Sequence, residues 1–230
     1  MKAMRTIENF DHIEQQEAEH IACVANEAKD LGKSAEELEA VESLTAYVKE
    51  IGPAPSMEVQ ARELSEYYRE TPELQFENWK EMSVSERLNA LAALEEEAAA
   101  ISHRLPMTVR LESMGDTTMG YQHEGELVLN EKLVQSDDFD CYTQSMKTLL
   151  HEGRHAYQSF NLGLDKLGIP PVEQNQEYLN AWKVNLETLG YDDPEDFWWD
   201  GMGYERYYTQ PIEVDARAFA NEATRQMGLA

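Results

Sequence analysis

The sequence predicts an α+β fold, mainly helical, with a small antiparallel sheet packed on one long helix and a helical extension ahead of it. Three observations carry this prediction. The first hundred residues repeat apolar side chains at three- and four-residue spacing between capping signals. From about residue 107 to 130 the spacing becomes alternating, with a turn signal in the middle. After residue 136 the helical period returns. The change of character near Pro106 divides the chain into a helical region, 1–105, and a second region, 106–230, expected to pack as one unit.

The elements follow in order. Met4 to about Lys29 carries Ile7, Phe10, Ile13, Ala18, Ile21 and Val24 on one helical face. The next helix opens at Ser34, with Glu37 placed for a capping box, and stops at Gly52. A third runs from Ser56 to Pro72, and a fourth opens at Ser83 with Glu86 three residues on. Its stripe is Leu88, Leu91, Leu94, Ala98 and Ile101. Val109 and Leu111 then alternate with polar residues, and Glu124-Gly125 separates two β-prone runs. Two or three short antiparallel strands are expected there. A long helix opens at the Ser136–Asp138 capping cluster and runs to about Phe160, with Tyr142, Met146, Leu149, Gly153 and Ala156 on its apolar stripe. Pro170-Pro171 breaks the chain. Helices are expected over about 172–189, 194–199 and 211–227, the last opening on Pro211.

Composition narrows the function. The chain has 230 residues, enough to bury a core, and 45 acidic against 19 basic side chains, a net charge of −26. That surface repels nucleic acid and anionic membrane, so neither is an expected partner. It suits a basic peptide or protein weakly; a solvated acidic surface explains it as well. Two cysteines outside any CxxC pair indicate a reducing compartment. No signal peptide and no run of 18 apolar residues is found, so a cytoplasmic protein is expected. P-loop, dinucleotide and nucleophile-elbow patterns are missing from the sequence.

One stretch carries chemistry. In Leu149–Gln158, LLHEGRHAYQ, His151 and His155 are four apart and share a helix face off the apolar stripe. Two imidazoles so placed can bind one metal ion. Glu152 emerges about 100° further round the helix, where it can reach a metal-bound water. Zinc supplies the Lewis acid in this arrangement and the carboxylate is the proton carrier. The bland reading is a solvent-facing histidine pair. A catalytic zinc also needs a third protein ligand. Gln158 and Asn161 stand where the metzincin pattern has Gly and His, which excludes that branch, and His12, His20, His103 and His123 lie in unrelated segments.

A carboxylate from a later helix is the other solution. HEGRH, followed 58 residues after His155 by EVDARAFA, resembles the gluzincin pattern H-E-x-x-H … E-x-x-A-[D/N]-x-[F/Y]-A. It is similar to the ImmA/IrrE family and to HtpX-like and CAAX-prenyl-protease-like peptidases. The resemblance covers about residues 107 to 227 and is specific at the two motifs. It implies a zincin-like metallopeptidase region at 106–230, with Glu213 as third zinc ligand, Glu152 activating water, and zinc as cofactor. Ala216, Phe219 and Ala220 match the packing positions, whereas Arg217 stands where those families often have Asp or Asn. Asp215 is a poorer ligand candidate, projecting from a different face. Glu213 could also simply favour its helix dipole. The run GELVLNEKLV, 125–134, is expected to supply the edge strand that borders the cleft and pairs with an extended peptide. Trp198, Trp199, Tyr204, Tyr207 and Tyr208 cluster before Glu213; packing is the first reading, and Tyr207 or Tyr208 could donate to an oxyanion. Tyr157 or Gln158 could support the site from behind. Two rival functions remain open: an inactive zincin-fold binding or regulatory protein, and an acidic helical interaction protein that mimics nucleic acid.

Overall fold

The computed structural model describes residues 34–191 and 203–229. The helix expected from Met4 to Lys29 and the short one at 194–199, with Trp198 and Trp199, lie outside the described residues. The chain forms two compact units. One contains Gly163–Val172 and the described part of Met1–Gly52; the other contains Pro53–Leu162 and the described part of Glu173–Ala230.

Helix α1 (Ala35–Ile51) belongs to the first unit. Its Ser34 hydroxyl accepts from the Glu37 amide at 3.2 Å, and the Glu37 carboxylate accepts from the Ser34 amide at 2.6 Å. This reciprocal pair satisfies two of the amides a helix start leaves open, worth about 1 kcal/mol. Gly52, at φ 68°, ends the helix.

The second unit begins with α2 (Met57–Glu70), a 3-10 turn (Pro72–Leu74), α3 (Phe76–Trp79) and α4 (Val84–Ile101). Ser83 and Glu86 form a second capping box, as their spacing predicts. Next come β1 (Thr108–Glu112), β2 (Gly120–His123), β3 (Glu126–Asn130) and α5 (Glu131–Gln135). The long α6 (Phe139–Lys166) follows and continues into the first unit. Then α7 (Gln176–Lys183) passes into a wider π-helical turn, Val184–Leu189. Last are α8 (Gly203–Thr209) and α9 (Pro211–Met227), which ends at Gly228 in the left-handed region, φ 80°. The fold is α+β and mainly helical. Among the described residues no helix is long and apolar enough to cross a membrane.

The sheet departs from the antiparallel one expected. Its order is β1-β3-β2; β2 and β3 form the antiparallel hairpin, but β1 pairs parallel to β3. Glu124 and Gly125 both have positive φ, 46° and 83°, the geometry of a two-residue hairpin turn. The parallel pairing has a local cause. Residues 113–119 carry the chain past the C-terminal end of β3, and the Asn130 amide there holds them by donating to the Gly115 and Thr118 carbonyls at 3.1 and 2.8 Å. Strand β3 is thus paired on both sides, and residues 131–135 are helix. The segment 125–134 does not supply a free edge strand for a peptide. Alternation in the sequence locates strands without specifying which neighbour each pairs with.

One apolar core ties elements of the second unit together. Leu64 of α2, Leu91 and Leu94 of α4, Leu127 and Leu129 of β3, Met146 and Leu149 of α6, and Ala220 and Ala223 of α9 are all inaccessible to solvent. Each large side chain buried this way stabilises by about 1.5–3 kcal/mol. The helices over 57–101 therefore share a core with the motif helix. The sheet meets that helix closely: a Cβ at Gly120 would lie 2.7 Å from the Thr148 methyl.

Candidate metal centre

The site forms where α6 and α9 face each other. Helix α6 starts with Asp138, whose carboxylate accepts from the Asp140 and Cys141 amides at 2.9 and 3.2 Å. Sequence periodicity suggests a helix with one apolar face, but residues 152–158 are buried all the way round. Arg154 makes two bonds to Asp215, at 2.8 and 3.1 Å. Gly153 faces a second buried pair, Arg104 and Glu95, joined at 2.6 and 2.7 Å.

His151 and His155 project together one turn apart, their rings perpendicular with centroids 4.6 Å apart. Their Nε2 atoms are 3.1 Å from each other. The side chains are 17% and 11% exposed, so the solvent-facing reading of the pair is wrong. The third group comes from the first turn of α9, where Glu213 is fully buried. Glu213 Oε2 is 3.4 Å from His151 Nε2 and Oε1 is 3.2 Å from His155 Nε2.

These distances allow a test of fit. A tetrahedral zinc with bonds of about 2.0–2.2 Å sets its ligand atoms roughly 3.3–3.6 Å apart. The imidazole nitrogens, 3.1 Å apart, and a different Glu213 oxygen beside each, at 3.4 and 3.2 Å, come within a few tenths of an ångström of that spacing, and one ligand atom from each of the three side chains lies within 4.8 Å of the others. The donor set, two imidazoles and a carboxylate, is also one that zinc takes in catalytic sites. Among the described residues this is the one group of three such side chains with converging ligand atoms.

Electrostatics express the same convergence. Burial alone would raise the Glu213 carboxyl, but hydrogen bonds and charge from His151 and His155 hold it well below the usual carboxylate range. His155 moves the opposite way: burial opposes its protonated form, yet the hydrogen bond to Glu213 and the charges of Glu152 and Glu213 raise it. Two imidazoles and a carboxylate this close call for a cation among them, whether proton or metal. Glu152, one residue from His151, is also buried. Burial pushes its carboxyl up and Glu213 adds to this, while the two histidines pull it down; the net shift is upward.

The other sequence candidates separate. Tyr207 belongs to the site, in hydrogen-bond contact with Glu213 and Tyr191; burial first, then the Glu213 charge, push its hydroxyl above the ordinary range. Tyr208 does not join them: it is 46% exposed, and its ring carries the Arg217 guanidinium at 3.7 Å. Arg217 also lies 3.4 Å from Glu213 Oε2. Asp215 is committed to Arg154 and to the Gln158 amide, so it is no rival ligand. Tyr157 turns away from the histidines, its hydroxyl meeting Glu173 at 3.2 Å.

Two contributors escape sequence reasoning. Tyr191 donates to Glu213 Oε1 at 2.9 Å, and no motif marks it. Asn185 accepts from the Ile212 amide at 3.2 Å and so caps the helix that carries Glu213. Its signal would have been a polar residue on a helix interior face, 27 residues from its partner. No protein-family model, curated protein or solved structure matches this chain.

Proposed function

We propose that this chain is a zinc-dependent hydrolase of peptide bonds, with His151, His155 and Glu213 as the metal ligands. The observation that supports it is the convergence of His151, His155 and Glu213: one ligand atom from each lies within 4.8 Å of the others, and the imidazole nitrogens, 3.1 Å apart, each have a Glu213 oxygen at 3.4 or 3.2 Å, close to the spacing around a tetrahedral ion. Zinc would supply Lewis acidity there. The side chains of the protein do the rest. Glu152 takes a proton from the attacking water and delivers it to the amine nitrogen as the carbon–nitrogen bond breaks. Burial and the resulting upward shift of its carboxyl suit a group that must both hold and release a proton. Tyr207 keeps its hydroxyl proton and donates to the carbonyl oxygen as negative charge develops. Substrates would be peptides or proteins, with basic ones favoured by the net charge of −26. A cytoplasmic setting suits Cys141, which is a free thiol.

The test is elemental analysis of protein purified without a metal-affinity tag, beside His155→Ala and Glu152→Gln. We expect about one zinc per wild-type chain, none in His155→Ala, and full zinc but no peptide hydrolysis in Glu152→Gln. A wild-type chain that takes up no zinc even after incubation with it would refute the metal centre. Zinc without hydrolysis in the wild type would leave a binding or regulatory module.

A further inference from the structure

We propose that Gln158 is the positioning residue of this centre, fixing the tautomer of His155 and the register of the turn that carries Glu213. The inference rests on the zinc reading only where it concerns affinity; its account of the imidazole stands on hydrogen bonds alone.

Gln158 lies one turn beyond His155 on α6 and is fully buried. Its amide nitrogen has two hydrogens, and both are used: one goes to the Ile212 carbonyl at 2.9 Å, the other to Asp215 Oδ2 at 2.6 Å. Both partners only accept. Turning the amide over would set its oxygen against a carbonyl and a carboxylate, so its orientation is determined. Gln158 Oε1 therefore faces His155 Nδ1, at 2.9 Å. An amide oxygen cannot donate, so the hydrogen sits on Nδ1. A neutral imidazole with Nδ1–H has its lone pair on Nε2. That is the atom 3.2 Å from Glu213 Oε1 and 3.1 Å from His151 Nε2. One amide thus selects the ligand atom and aims it.

The same amide reaches the other side of the centre. Ile212 precedes Glu213 and Asp215 follows it by two residues, so Gln158 grips the backbone and a side chain on either side of the third ligand. Asp215 is held in turn by Arg154, whose guanidinium is packed against Tyr157 at 4.5 Å and against Trp182 and Phe219 at 5.4 Å. The ordering has a chemical consequence. Metal-bound histidines commonly donate to a carboxylate or a carbonyl. Here the carboxylate is one bond removed and neutralised by arginine, and the imidazole meets a neutral acceptor that orients it without taking its proton.

The test reads the imidazole and the metal separately. In metal-free wild-type protein labelled with nitrogen-15 at histidine, at alkaline pH where the ring is neutral, His155 should show the Nδ1–H tautomer. Gln158→Met, similar in length but without donor or acceptor, should let the Nε2–H form appear. Chelator competition should then show zinc bound 10- to 100-fold more weakly, about the usual loss when such a support is removed. The tautomer is read from the ring itself, which separates orientation from general loss of packing. An Nε2–H tautomer in the wild type overturns the proposal and needs no variant to fold. So does Gln158→Met binding zinc within about twofold of wild type. The expected tautomer in a wild-type chain that takes up no zinc would instead sink the metal reading and leave the orienting role intact.

Discussion

Gly153→Ala sets two known effects against each other. Alanine is favoured over glycine inside a helix by about 0.8–1.0 kcal/mol, so propensity alone predicts a more stable protein. The new Cβ, however, would lie 3.0 Å from Arg104 Nη2 and 3.3 Å from Glu95 Oε2. Whether those atoms can yield decides the sign. They are bonded to each other at 2.7 Å, and their side chains are 2% and 0% exposed. Arg104 also donates to the Leu105 carbonyl, and Glu95 accepts from the Met107 amide, both at 3.0 Å. Neither end is free to swing aside without breaking a buried bond. Forcing a methyl into such packing costs about 1–3 kcal/mol. The expected balance is a net loss of up to about 2 kcal/mol. In a chain of this length that lowers Tm by up to roughly 8 °C. Differential scanning calorimetry checks it, with zinc content expected to stay at the wild-type level. A rise in Tm would refute the reasoning, because it would mean that the Glu95–Arg104 pair is not the rigid backing of the motif helix.

Two further outcomes are expected. In metal-free protein the His155 pKa is raised, so the stability it contributes is complete below its unfolded value of about 6.5 and is lost as pH climbs through the folded value. Zinc requires the deprotonated ring, so its stabilisation grows over the same interval. Melting curves with chelator and with zinc should diverge as pH rises, and parallel curves would contradict the assignment. Arg154→Met strands a buried Asp215 and should cost about 3–5 kcal/mol in denaturant titrations. Arg154→Met with Asp215→Leu should regain most of that stability and still bind zinc more weakly than wild type, since Gln158 loses an anchor; a double variant no more stable than the single one counts against the pairing.

Much of the local structure is legible in the sequence because capping is a short-range code. Ser34 with Glu37 and Ser83 with Glu86 mark helix starts to the residue, and Pro211 marks the last one. The histidine pair is legible for the same reason, as a spacing within one helix. What depends on the path of the chain is not. Parallel pairing of β1 with β3 follows from where Asn130 pins a loop. The Arg154–Asp215 bond joins residues 61 apart, and neither residue has a local pattern that announces burial. Glu213 is intermediate: its place in the first turn of α9 is legible, and its approach to the histidines is a property of two helices packing.

The π-helical turn at Val184–Leu189 bears on how this protein can change in length. Bonding from i to i+5 holds an extra residue in the turn, and such turns occur often at functional sites. Asn185 lies within it and caps α9 at Ile212; Tyr191, just beyond it, bonds to Glu213 on the same turn of α9. Deleting one residue between Asn185 and Gly190 would restore ordinary helix and leave the angle between Asn185 and Tyr191 nearly unchanged, whereas one more residue would turn them by about 100° relative to each other. After such an insertion only one of them could keep its hold. A one-residue insertion between Asn185 and Gly190 is accordingly a lesion of the metal centre, although no ligand is touched, while a deletion there is the length change it tolerates best.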